Sequence, residues 1–136
     1  MTDYLLDTNI LIQCFRKATG FLDLLASLSR DDDLYISAMT RAEIIRGMQE
    51  RERETTYNLL DSLETLVVSV EIANSAGELI RSLRKRGVTL EDTDAIIAAT
   101  AIQHNLALVT TNAKHFSMHN LVVYEADEKG KLTLRE

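Results

Sequence analysis

Residues 92–110 read DTDAIIAATAIQHNLALVT, and this stretch decides the fold. Positions 95–102 are apolar or small nearly all round, the pattern of a helix buried on every side. Positions 106–110, Leu-Ala-Leu-Val-Thr, are apolar almost throughout, as a strand covered on both faces must be. A buried helix feeding a doubly covered strand belongs to an α/β domain with a mainly parallel sheet. Working outward, period-2 and short apolar runs predict strands at 3–7, 34–37, 66–70 and 121–124 beside 106–110, about five in all. Helical patterns fill the intervals at 9–15, 21–29, 40–53, 55–64, 71–86, 92–104 and 112–116.

The bulk properties narrow the class. A chain of 136 residues can bury a real core within one domain. We expect that domain over 1–124, with 125–136 as a terminal hairpin or tail of the same unit. No apolar run approaches the roughly 20 residues that span a bilayer, and Met1-Thr2-Asp3 lacks the basic start of a signal peptide, so a cytoplasmic protein with no membrane partner is expected. The single cysteine, Cys14, cannot form an internal disulfide; lying among Leu11, Ile12 and Phe15, it reads as a packed core thiol. The helical stripe Ile72, Ala76, Leu79 or Ile80, and Leu83 likewise reads as core.

The net charge of −6, from 21 acids and 15 bases, argues against a general nucleic-acid coat protein. The bases are nevertheless clustered, with Arg41, Arg46, Arg51 and Arg53 in one stretch and Arg81, Arg84, Lys85 and Arg86 in another. Each cluster suits a solvated helix face. Gly87 follows the second as a helix stop, with basic residues at the negative end of the dipole.

Three segments bring an acid to the edge where open parallel sheets bind ligands, beyond the C-terminal ends of the strands. Asp7, in YLLDTNILI, closes the first strand and precedes a helix; it can serve as N-cap or as a site residue. Glu43, in TRAEIIRGMQ, follows the second strand; Thr40 and Glu43 also have the spacing of a capping box. Gly47 lies on the face of Glu43, and a bare helix face there predicts close packing against it. Asp92 and Asp94 open the buried helix, where Thr89 or Asp92 can cap it, while Asp94 leads straight into the apolar stretch. Three inward carboxylates repel one another and raise each other's pKa unless a cation joins them. Mg²⁺ takes one or two carboxylates, keeps several waters and fills its shell with phosphate oxygens.

The strings LLDTNILI, AEIIRG, DAIIAATAIQHNLALVTTNAKHF and LVVY, taken in this order, resemble the PIN domain, in particular the toxin subunits of VapBC-type toxin–antitoxin pairs. The resemblance covers residues 3–124. It implies a three-layer α/β/α sandwich with a mainly parallel Rossmann-like sheet, and a Mg²⁺- or Mn²⁺-dependent endoribonuclease that hydrolyses phosphodiester bonds. It also implies a homodimer held inactive by a VapB-like antitoxin. Asp7, Glu43 and Asp94 match the family's first three acids, as metal ligands and catalytic residues, and Asp92 matches an additional acid. Thr8, Asn9 and Thr110 match polar residues that hold the acids in place. Asn112 stands where an acid or an asparagine is found, and no acid occurs in 111–115, which weakens a second metal site. Contact with an RNA substrate would fall to Arg41, Arg46, Arg84, Lys85 and Arg86.

Two further readings stand beside the toxin. One is a PIN nuclease of RNA processing or decay; the other is a non-catalytic subunit that engages a basic partner through its acidic groove. His115 and His119, spaced H-x3-H, resemble half a zinc site that no cysteine pair completes. His104 is expected at the end of its helix.

Overall fold

The computed structural model describes residues 3–16, 20–30 and 33–135; Met1 and Thr2 at the start, and Glu136 at the end of the tail, lie outside them. The described chain runs β1 (Tyr4–Leu6), α1 (Thr8–Phe15), α2 (Phe21–Ser29), β2 (Leu34–Ser37), α3 (Ala38–Gly47), a 3-10 turn (Glu50–Glu52), α4 (Arg53–Asp61) and β3 (Glu64–Leu66). It continues with α5 (Val70–Arg84), α6 (Asp92–Gln103), β4 (Ala107–Thr110), a second 3-10 turn (Ala113–His115), β5 (Val123–Ala126) and β6 (Leu132–Leu134).

The strands form one six-stranded sheet in the order β3-β2-β1-β4-β5-β6, parallel except for the antiparallel edge pair β5 and β6. The five expected strands are joined by a sixth because the chain end turns back as a hairpin. Asp127 organises that turn, its Oδ1 accepting from the amides of Lys129 and Lys131 at 2.9 Å each.

Two apolar layers sandwich the sheet, and the alternation of strand side chains divides them. Leu5 of β1 and Leu108 of β4 face the layer of α5 and α6, where Ile72, Ala76 and Leu83 are buried with Ile97 and Ala98. Leu6 and Val109 face the layer of α1, α2, α3 and α4, among Ile10, Leu11, Cys14, Phe21 and Leu60. β1 and β4 are thus the covered centre of the sheet. Burial raises the Cys14 thiol to a pKa of about 11, as befits a core group. No helix among the described residues is long and apolar enough to cross a membrane.

Several boundaries differ from the expected ones for local reasons. The β-branched run after Leu66 predicts a strand at 66–70, but β3 is Glu64–Leu66 and Val67 is 73% exposed. Ser69 ends that run by accepting a hydrogen bond from Ile72 N at 3.1 Å as N-cap of α5. The helix expected over 40–53 begins instead at Ala38, capped by Ser37 Oγ on Met39 N at 3.0 Å, and stops at Gly47. Beyond Gly47 lies open space, not the close neighbour that its bare face predicts. α6 has Glu91 at its N-cap without a side-chain bond, so neither Thr89 nor Asp92 caps it.

Two helix ends do follow from composition. Gly87 has φ +78°, with Val88 N bonded to Leu83 O at 2.9 Å and Gly87 N to Arg84 O at 3.0 Å, a Schellman closure. His104 is the C-cap of α6, and Asn105, at φ 56°, takes the left-handed position after it.

Candidate active site

The strand order reverses between β1 and β4, since β2 and β3 lie on one side and β5 and β6 on the other. That reversal opens a crevice at the C-terminal ends of β1 and β4, the position where parallel sheets bind ligands. Asp7 stands there. Its amide still pairs with Val109 O at 2.9 Å, extending the β1–β4 ladder by one residue, and its side chain is buried at 4% exposure.

Asp7 is also the N-cap of α1, so both of its sequence roles are realised in one residue. Oδ1 accepts from Thr8 N at 2.8 Å and Oδ2 from the Thr110 hydroxyl at 2.8 Å. Capping alone does not account for its environment. Burial pushes the Asp7 carboxyl up from 3.8 to about 6; the two hydrogen bonds oppose the rise, and the nearby charges of Asp94 and Glu43 add to it.

Glu43 reaches this crevice from α3. The capping box that the spacing of Thr40 and Glu43 predicts is absent, because the helix begins at Ala38 and Thr40 already lies inside it. The carboxylate turns toward the start of α1 instead, and the Thr8 hydroxyl donates to Glu43 Oε1 at 2.7 Å. The same hydroxyl lies 3.0 Å from Thr40 Oγ1, itself fully buried. Thr8 therefore braces the second acid while its backbone binds the first. A groove of about 300 Å³ opens beside Glu43, lined by Ile12, Phe15, Ile44, Gly47, Met48 and Thr56 among others.

Asp94 lies in the first turn of α6 with its side chain 20% exposed. Burial raises its pKa; the facing His115 opposes that, and Glu43 and Glu91 add to it. His115 Nδ1 stands 3.5 Å from Asp94 Oδ2, and its ring lies 3.1 Å from the Asn112 amide nitrogen at the nearer approach. The H-x3-H pair, already incomplete as a zinc site, is in the structure a histidine facing an acid, with His119 exposed elsewhere on the loop. Sequence reasoning missed His115 here. The signal was its three-residue spacing from Asn112, which a 3-10 turn brings onto one side.

Other expected residues form no hydrogen bond or ion pair with these acids among the described residues. Asp92 is exposed, and Glu91 takes the place of Asp92 among the charges that act on Asp94. Asn9 is exposed, and among the described residues its side chain holds no acid. Arg41 spans α3 to α4 and β3, paired with Asp61 at 3.0 Å and bonded to Thr65 at 3.3 Å, which occupies the guanidinium expected for RNA. Arg46, Arg84, Lys85 and Arg86 are exposed and make no ion pair among the described residues. Glu71, at the start of α5, accepts from Gln103, at the end of α6, at 3.2 Å, so the two helices pack antiparallel. Arg84, Lys85 and Arg86 therefore lie at the same end of that pair as Asp94.

Among the described residues no three His, Cys, Asp or Glu side chains form a ready-made metal cage. The donor chemistry nevertheless fits a hard divalent ion, which needs only one or two carboxylates and takes water and phosphate oxygens for the rest. A desolvated carboxylate with two acidic neighbours is the kind of group that such an ion relieves.

The PIN domain family model matches residues 4–119, a span that holds every acid of this crevice. The chain belongs to the PIN-domain family. Among its relatives it is 36% identical over 114 residues to ribonuclease VapC10 of Mycobacterium tuberculosis, covering 84% of this chain and 86% of that protein. It is 37% identical over 113 residues to ribonuclease VapC1 of Methanocaldococcus jannaschii, covering 82% and 77% respectively. In three dimensions it is similar to a chain in the crystal structure of VapBC2 from Rickettsia felis bound to a promoter DNA fragment. That match has a TM-score of 0.82 and 27% identity and covers 93% of this chain and all of the other. The mainly parallel sheet and its flanking helices are those of a PIN domain.

Proposed function

We propose that this PIN domain is a metal-dependent endoribonuclease, the toxin member of a VapBC-type pair. The observation that carries the reading is Asp7, a buried carboxylate at the switch point of the sheet, raised to about 6 by burial and by Asp94 and Glu43. The ribonuclease names of the VapC relatives and the VapBC structures point to RNA as substrate and to a VapB-like antitoxin as partner. The groove beside Glu43, whose lining mixes Ile12, Ile44 and Met48 with Arg16 and Glu52, offers a partner segment a seat next to the acids.

Asp7 and Asp94, with Glu43, would hold Mg²⁺ or Mn²⁺. When bound, the ion supplies Lewis acidity toward a phosphodiester and favours ionisation of an attacking water. The chain's own residues position the charges. Thr110 and the Thr8 amide hold the two oxygens of Asp7, and the Thr8 hydroxyl holds Glu43. His115 faces Asp94 from the loop after β4. The exposed Arg84, Lys85 and Arg86 provide local positive charge for RNA on a chain of net charge −6.

The decisive experiment is RNA cleavage by the purified, partner-free chain with Mn²⁺, Mg²⁺ or EDTA, beside Asp7→Asn and Asp94→Asn. Cleavage should require metal and fall at least about a hundredfold in either variant. A folded Asp7→Asn protein that cuts at the wild-type rate would remove Asp7 from the reaction.

A further inference from the structure

The PIN domain match ends at residue 119, yet the loop that completes the crevice is held from beyond that point. Arg135, which follows β6, donates to three carbonyls of this loop, those of Met118 and Leu121 at 3.1 Å and Ala113 at 3.4 Å. Its own amide bonds Val123 O at 2.9 Å, which ties it to β5. Glu125 of β5 accepts from Ala113 N at 2.9 Å. Ala113 is thus gripped at both its backbone groups by side chains of the C-terminal hairpin.

The grip is coupled to the acids through consecutive contacts. Asn112, adjacent to Ala113, donates its backbone N–H to Thr110 Oγ1 at 3.1 Å, and the Thr110 hydroxyl donates to Asp7 at 2.8 Å. Two residues past Ala113, His115 meets Asp94. The hairpin itself is seated firmly. At its tip Gly130 packs backbone to backbone against Gly20, where a Cβ on Gly20 would lie 1.8 Å from Lys129 O. A three-carbonyl guanidinium clamp suits Arg, whose planar fork offers five N–H donors in fixed directions.

We infer that Glu125 and Arg135 are positioning residues of the acidic crevice, which fix the 112–121 loop so that Thr110 and His115 present Asp7 and Asp94 correctly. The inference rests on the nuclease reading for its kinetic consequence and on geometry alone for the clamp. It assigns the C-terminal hairpin a part in the site although neither residue touches an acid.

The test compares wild type with Arg135→Ala, Arg135→Lys, Glu125→Ala and Glu125→Gln by hydrogen exchange and by steady-state RNA cleavage. Glu125 has an exposed position on β5, so its variants report even where Arg135→Ala fails to fold. Amides of 112–121 should exchange about tenfold faster in either alanine variant, with β1 and β4 protection unchanged. The kcat should fall about tenfold with KM nearly unchanged, the mark of lost positioning. Glu125→Gln, which keeps an acceptor for Ala113 N, should recover most of both, and Arg135→Lys only part.

Unchanged exchange in 112–121 would overturn the clamp. Faster exchange with wild-type cleavage would overturn the positioning role. Loss confined to KM would do the same and make the hairpin a substrate contact. A wild-type chain that cuts no RNA would remove the nuclease reading instead, and the exchange comparison would then decide by itself whether the clamp exists.

Discussion

At the scale of the residue, Asp7 carries the tension of the site. Its carboxyl is raised to about 6 in the folded chain against 3.8 as its ordinary value, with burial as the leading cause. Between these values the folded state binds more protons than the unfolded one, so stability falls as pH rises through this window. The penalty is fully present above about pH 6 and disappears as pH falls toward 3.8. Two pKa units correspond to about 3 kcal/mol for a group so deeply buried. In the metal-free chain, Asp7→Asn should therefore stabilise at pH 7 by about 1–3 kcal/mol and flatten the dependence between pH 4 and 6. Thermal unfolding across that range measures both. If Asp7 holds a divalent ion as proposed, metal should reverse the order, stabilising wild type more than the variant, because the ion would bind the ionised carboxylate. A less stable variant at pH 7 without metal would mean that the hydrogen bonds from Thr8 and Thr110 to the ionised carboxylate outweigh the cost of burying it.

At the scale of the element, the glycines separate two kinds of turn. Gly87 closes α5 in a left-handed conformation with open space around it, so Gly87→Ala should cost only about 1 kcal/mol. Gly20 has φ +95° and no room for a Cβ against the Lys129 carbonyl. Its substitution adds overpacking to backbone strain, and Gly20→Ala should cost about 2–4 kcal/mol. Urea denaturation of the two variants tests the contrast. Equal losses would mean that the hairpin tip is free to withdraw from the start of α2.

At the scale of the whole molecule, a net charge of −6 and a polyanionic substrate must be reconciled locally. Arg53 and Arg81 are occupied by Glu50 and Glu78, and Arg41 by Asp61. Arg84, Lys85 and Arg86 remain exposed at the end of the α5–α6 pair that carries Asp94. Replacing all three with alanine should weaken RNA binding and lower the slope of log affinity against log salt by about 2, at roughly 0.7 per released counterion. Titration of a labelled RNA against the cleavage-deficient Asp7→Asn chain, at several salt concentrations, gives that slope directly. An unchanged slope would move RNA to another face.

Read alone, the amino-acid sequence determined the layers of this protein. Helix burial at 95–102 and strand burial at 106–110 follow from side-chain periodicity, and Gly87 and His104 mark helix ends through local chemistry. The three acids were legible because each follows a strand or opens a helix. What only the tertiary structure decided is which polar groups meet. Thr110 reaches Asp7 across 103 positions of sequence, Thr8 reaches Glu43 across 35, and Arg135 reaches Met118 across 17. Local spacing left Glu43 open between a capping box and a site acid, and offered His115 only as half of an incomplete zinc site. A carboxylate or imidazole binds whichever group the folded chain brings to it, and in this sheet that group comes from another strand or helix.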